Sequence, residues 1–218
     1  SGSISGSPSA AGNFTGTTGG ETLYNYGILS NTGPYTVNVS TTSGDITVEN
    51  DYGILAYGGT TPASTYGINA NSYSGAVSVD NTAGAYIVVY NSFGSGYGIA
   101  AYSQQGDVDV SNDGSIYVSP SGNAYGIYAT SDDGVTHVYN TGSIIAAGGN
   151  NATGIYAQSY ANVYVDNSGY VQASTANGTA YGVFIYTCDC TALDANVDNS
   201  GTIVATNTGN GDSFGVYI

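Results

Sequence analysis

The sequence predicts an all-β chain wound as a parallel β-helix, a β-solenoid of about seven rungs and three sheets. Two repeated motifs lead to this. A Tyr-Gly-Ile-like triplet recurs along the chain, and an Asn-x-Gly marker recurs in phase with it. The segments between them are short, rich in Tyr and β-branched residues, and fit no helix.

The glycines of the triplet are Gly27, Gly67, Gly98, Gly126, Gly154, Gly182 and Gly215. From Gly98 the intervals are 28, 28, 28 and 33 residues; the earlier ones are 40 and 31, with a further copy, Tyr52-Gly53-Ile54, inside the longer. Self-similarity at such a period means stacked units rather than one globular core. The second marker is Asn112-Asp113-Gly114, Asn140-Thr141-Gly142, Asn167-Ser168-Gly169 and Asn199-Ser200-Gly201. Asn81 takes the same place, with one extra residue before Gly84. Each unit then reads as three short strands; in one unit they cover residues 125–130, 135–139 and 143–146.

Alternation along each strand sorts the side chains. Ile127 and Ala129 point inward, Tyr128 and Thr130 outward. Val108, Val110 and Asn112 point inward, as do Val163, Val165 and Asn167. Ile116, Val118, Ile144 and Ala146 complete the inward set. Stacking turns like positions into columns, such as Ile99, Ile127, Ile155 and Val183. An inward Asn must satisfy its amide. Asn81, Asn112, Asn140, Asn167 and Asn199 are therefore expected to bond one another along the axis as a structural ladder. The glycine two residues later is expected to supply the positive φ of a tight turn.

Composition narrows the function. The chain has 218 residues, no Lys and no Arg, and a formal net charge of -15. Without cations it has no means of neutralising nucleic-acid phosphates, no basic patch for an anionic membrane, and no P-loop lysine. A hydrophobic content of 41% with 22 Tyr separates it from acidic disordered tails. No Met occurs, and no run reaches the length of a transmembrane helix. The expectation is an exported chain whose signal peptide has been removed, residing outside the cell or on its surface without membrane insertion. Residues 1–24 are rich in Ser, Gly and Thr and read as a flexible tail or a donor arm. Residues 25–218 read as the solenoid.

Tyr97-Gly98-Ile99 and its copies, joined to Asn112-Asp113-Gly114 and its copies, resemble the β-helix repeats of bacterial autotransporter passengers and filamentous-haemagglutinin-like surface proteins. The resemblance spans about residues 25–218 and implies the right-handed β-helix and a cell-surface setting. The chain departs from the autotransporter pattern in carrying no C-terminal membrane barrel.

Catalytic chemistry finds little footing. Asp132 and Asp133 lie in a Ser-x-x-Gly turn, where Asp is ordinary. The basic partners that β-helical lyases and pectin hydrolases use are absent. His137, the sole histidine, points outward with no Ser or Cys nucleophile nearby in sequence. The chain is therefore read as a non-enzyme without a cofactor. Asp166 and Asp198 occupy one outward position in successive repeats and read as solvated aspartates. Calcium is the alternative that would relieve their repulsion. Cys188 and Cys190 either close a small local disulfide or remain as free or intermolecular thiols.

Two surfaces remain. An outer aromatic stripe gathers Tyr128, Tyr156 and Phe184, with Tyr102 and Tyr186 in a neighbouring column. It either stacks to hold the sheet or presents a partner or sugar-binding face. Phe214, Gly215, Val216, Tyr217 and Ile218 form the first strand of a further repeat with no polar cap after it. From these follow the expected function and its alternative. The first is a subunit of an extracellular fibre or surface layer that polymerises head to tail with itself. The second is an adhesin-like, carbohydrate-binding passenger fragment that recognises surface glycans.

Overall fold

The computed structural model describes residues 2–6, 12–16, 20–60, 62–187 and 194–218. Among these, every regular element is a strand, and the strands form three parallel sheets of eight, seven and eight. Sheet 1 runs from Gly12–Gly16 to Ser213–Tyr217, sheet 2 from Gly2–Gly6 to Ala195–Asn199, and sheet 3 from Ile28–Asn31 to Thr202–Asn207. The chain visits sheets 2, 3 and 1 in that order, as in Thr136–Asn140, Ser143–Gly148 and Ala152–Ser159. This is the predicted β-solenoid.

Parallel in-register pairing turns the alternation into columns. Ile99, Ile127, Ile155 and Val183 are register partners in sheet 1, and each is fully buried. Val110, Val138 and Val165 line sheet 2, and Ile87, Ile116 and Ile144 line sheet 3. The core is a narrow tube of Ile, Val, Ala and Leu. Each Ile or Val removed from water there contributes about 1.5–3 kcal/mol, so the stabilisation is spread evenly along the axis.

Polar ladders hold two corners of the tube. Between sheets 2 and 3, Asn25, Asn50, Asn81, Asn112, Asn140, Asn167 and Asn199 form one chain of amide hydrogen bonds. Each Nδ2 donates to the next Oδ1 at 2.6–2.7 Å. The second Nδ2 proton of Asn140 and Asn167 reaches the glycine carbonyl two residues on, at 3.4 Å. Backbone carbonyls are used as well: Asn112 O accepts from Thr141 N and Gly142 N of the next turn. At the corner between sheets 1 and 2, Ser72, Ser103, Ser131 and Ser159 each donate to a glycine carbonyl of the preceding turn. With no Lys or Arg for ion pairs, these neutral bonds satisfy the corners.

Glycine serves this fold by being small, which corrects the sequence expectation. Among the described residues only Gly84, at +87°, has a positive φ. The Asn-x-Gly glycines are needed because turns lie close: a Cβ on Gly142 would sit 2.0 Å from Gly114 O. The triplet glycines face inward, where a Cβ on Gly126 would meet Ile144 Cγ2 at 2.3 Å and Gly154 O at 2.5 Å.

The structure also re-sorts the first repeats. Tyr26-Gly27-Ile28 and Tyr52-Gly53-Ile54 lead into Ile28–Asn31 and Gly53–Tyr57, which pair with each other in sheet 3. The sheet 1 position that Gly67 holds is taken one turn earlier by Thr36, since Tyr35 pairs with Tyr66. The 40-residue interval was thus measured between different sheets. The solenoid also begins before residue 25. Glu21–Asn25 is a sheet 2 strand with Leu23 buried, and Gly2–Gly6 and Gly12–Gly16 pair in parallel with Glu21–Asn25 and Tyr35–Thr41. The Ser and Gly content of this segment hid its backbone pairing. Cys188 and Cys190 lie outside the described residues.

Candidate functional site

The outer face of sheet 1 carries the densest chemistry. Within each strand Gly-Ile places two successive residues inward, so the aromatic on either side of that pair both point out. Tyr125 and Tyr128 do so in Ala124–Ser131. Two aromatic columns result. In one, Tyr35, Tyr66, Tyr97 and Tyr125 stack with centroids 5.0, 4.7 and 4.8 Å apart. It resumes as Tyr181 on Phe214 at 5.4 Å. In the other, Tyr128, Tyr156, Phe184 and Tyr217 stack at 4.6, 5.2 and 5.2 Å. The columns meet edge to face, as at Tyr125 and Tyr128, 5.5 Å apart at 83°. Such contacts add about 0.5–1.5 kcal/mol each beyond buried area.

Tyr128, Tyr156 and Phe184 therefore stand together as expected. Tyr102 and Tyr186 share the adjacent column but are separated by Thr130 and Gln158. The column that begins at Tyr35 escaped the sequence reading, because strict alternation puts Tyr125 on the face of Ile127. The Tyr before Gly67, Gly98, Gly126 and Gly182 was the available signal.

The first column has one gap, at Thr153, whereas the second ends at Tyr128, with Ala100, Asn69 and Asn38 in its earlier positions. Recesses of about 210 Å³ lie at Ala100 and at Thr153. The one at Ala100 is bordered by Tyr66, Tyr97, Tyr102 and Tyr128 with Asn69 and Asn71. The one at Thr153 is bordered by Tyr125, Tyr156, Tyr181 and Phe184 with Asn151 and Thr179.

Burial raises the phenol pKa of Tyr97, Tyr125 and Tyr128. Burial, aided by Tyr128 and Tyr125, pushes Tyr156 up to about 12. Tyr102 is also pushed up to about 12, by desolvation first and then by its 2.7 Å hydrogen bond to Asp132. A folded-state pKa raised above the unfolded value of about 10 means the folded chain keeps protons that the unfolded chain releases. Stability from these groups is complete below pH of about 10 and is lost as pH rises toward 12. Alkaline titration followed at once by tyrosinate absorbance and circular dichroism should show the buried phenols ionising together with loss of β-structure. Ionisation of all tyrosines well before unfolding would contradict the burial.

Sheet 2 carries the acids outward. Asp166 and Asp198 are register partners, and Asp166 Oδ2 lies 3.0 Å from His137 Nε2. Tyr139 Oη is 2.7 Å from His137 Nδ1. His137 thus belongs to a small hydrogen-bonded group rather than standing alone on the surface. Asp80 and Glu49 neighbour each other in register. Burial first, then Asp113 and Asp51, raises the carboxyl pKa of Asp80; burial first, then Asp51 and Asp80, raises that of Glu49. Among the described residues no three His, Cys, Asp or Glu side chains converge on one point. No helix long and apolar enough to cross a membrane occurs among them.

The last turn, made by Ala195–Asn199, Thr202–Asn207 and Ser213–Tyr217, exposes core positions. Val216 is 43% and Ile218 66% exposed, whereas Val183, the register partner of Val216, is fully buried. A Cβ on Gly182 would meet Ile203 Cγ2 at 2.3 Å and Gly215 O at 2.5 Å, but one on Gly215 would meet nothing within 4 Å. Asn199 accepts from Asn167, and among the described residues its own Nδ2 bonds only Gly201 O. Comparison of the chain with protein-family models, curated proteins and solved structures found no match.

Proposed function

We propose that this chain is a structural subunit of an extracellular fibre or surface layer, and that it polymerises head to tail through the ends of its solenoid. The observation that carries the reading is the last turn. It keeps the residue types of the main columns and presents them to whatever turn stacks on it. Gly215 retains the glycine of its column, Val216 the core aliphatic, and Asn199 an amide proton for another ladder carbonyl. The ladder is polar, every Nδ2 donating in one direction, so a further unit adds in one orientation only. Repetition by one non-closing operation gives a filament. Among the described residues, no strand pairs with the opposite edge of Ile28–Asn31. The absence of Lys and Arg, and with it of sites for trypsin-like proteases, suits a part exposed outside the cell.

Val216→Asp tests this. In the free chain the side chain is 43% exposed, so the thermal transition should change little. In a filament the same side chain would be buried in the core column, and assembly followed by light scattering should fall to baseline. Salt should promote wild-type assembly by screening the net charge of -15. Assembly of the variant as readily as the wild type would remove the joint from this end.

A further inference from the structure

We propose that the recess at Thr153 binds a neutral sugar ring. The first aromatic column runs through Tyr35, Tyr66, Tyr97 and Tyr125, breaks at Thr153, and resumes at Tyr181 and Phe214. Rings inside a stack have both faces covered. Tyr125 stacks on Tyr97 with one face, and Tyr181 on Phe214 with one face; their other faces look onto the gap. The second column offers only edge contacts there, with Tyr156 lying 6.5 Å from Tyr125 at 90° and Phe184 5.0 Å from Tyr181 at 83°. Two strand spacings, about 9.6 Å, separate the turns of Tyr125 and Tyr181, so the space is that of one missing ring.

The polar groups choose among rings. Thr153 forms the floor at 5% exposure, and its hydroxyl makes no hydrogen bond among the described residues. A purely aromatic guest would cover the ring faces and leave that hydroxyl unpaired. A pyranose presents apolar C–H faces to the rings and hydroxyls at its edge, meeting both demands. The sugar must be neutral, because a chain with no Lys or Arg and a net charge of -15 repels uronic or sulfated sugars. This inference does not depend on polymerisation, since every residue in it belongs to one copy.

The test uses the full chain at low salt, with cellohexaose and N-acetylchitohexaose as neutral probes and trigalacturonate as the anionic one. Binding is read by calorimetry and by intrinsic tyrosine fluorescence. The variant Thr153→Tyr rebuilds the stack and fills the gap, so its thermal transition should be unchanged or raised. At least one neutral probe should bind the wild type, and the variant should bind it roughly tenfold more weakly or worse. The proposal is overturned if neither neutral probe binds, if trigalacturonate binds as tightly, or if the variant binds like the wild type. It is equally overturned if Thr153→Tyr stops self-assembly, since the gap would then hold a ring from another copy.

Discussion

Ile127→Asp is expected to unfold the middle of the solenoid. Ile127 has no solvent exposure and stands in column between Ile99 and Ile155, both fully buried. A carboxylate there loses its hydration in a tube lined by aliphatic side chains, and the chain contains no Lys or Arg to pair with it. The cost of a buried, unpaired charge is several kcal/mol, against a total stability of about 5–15 kcal/mol for an ordinary domain. Each kcal/mol lowers the midpoint by roughly 2–4 °C at this chain length, so a fall of about 10 °C or more is expected in thermal circular dichroism. An unchanged midpoint would place Ile127 outside. Val216→Asp makes the same chemical change in the same column, and the contrast between the two separates folding from assembly.

A break in the amide ladder should cost more than an ordinary polar substitution. Asn140 accepts from Asn112 and donates to Asn167, both at 2.7 Å, and is 1% exposed. Asn140→Ala strands one amide N–H and one amide oxygen in the interior. At about 1–3 kcal/mol for each of the two stranded groups, the loss should be roughly 2–6 kcal/mol in urea unfolding. Asn199→Ala removes the exposed end of the same ladder and strands only the Nδ2 proton of Asn167, so it should cost clearly less. Equal losses at the two positions would mean that the ladder is not cooperative scaffold.

The repeat carried most of the fold into view before any coordinates. From Gly98 onward the triplet and Asn-x-Gly recur in phase, at intervals of 28, 28, 28 and 33 residues for the first and 28, 27 and 32 for the second, and the columns deduced from parity are the columns observed. The earlier turns were harder because motif and sheet part company there. Tyr52-Gly53-Ile54 has the letters of a sheet 1 strand and lies in sheet 3. Tyr35-Thr36-Val37 has the sheet 1 place without its glycine. Asn25-Tyr26-Gly27 is itself an Asn-x-Gly, and Asn50 precedes Gly53 with the same extra residue that separates Asn81 from Gly84, but Gly27 and Gly53 read as triplet glycines, which hid the first two rungs of the ladder.

The site was legible in one column and hidden in the other. Period-2 reasoning carries Tyr128 to the outside correctly. It fails across Gly126 and Ile127, because both residues face inward and the parity slips by one. A glycine can face the core beside an isoleucine only where the neighbouring sheet fills the space, as Ile144 does. That is a tertiary fact, absent from any single strand. The consequence is the second stack and the gap at Thr153, which reads in the sequence as an unremarkable Ala-Thr-Gly-Ile. The polar Asp166 and His137 pairing was likewise out of reach, since it joins strands of successive turns.

Mass per unit length of unstained wild-type assemblies, read by scanning transmission electron microscopy, bears most directly on head-to-tail growth. Eight strands along sheets 1 and 2, at about 4.8 Å each, give one chain about 38 Å of axis. The account predicts long, unbranched fibres containing one chain per about 38 Å for each strand of fibre. Isolated rods one chain long, or lateral sheets with no axial continuity at that spacing, would contradict it.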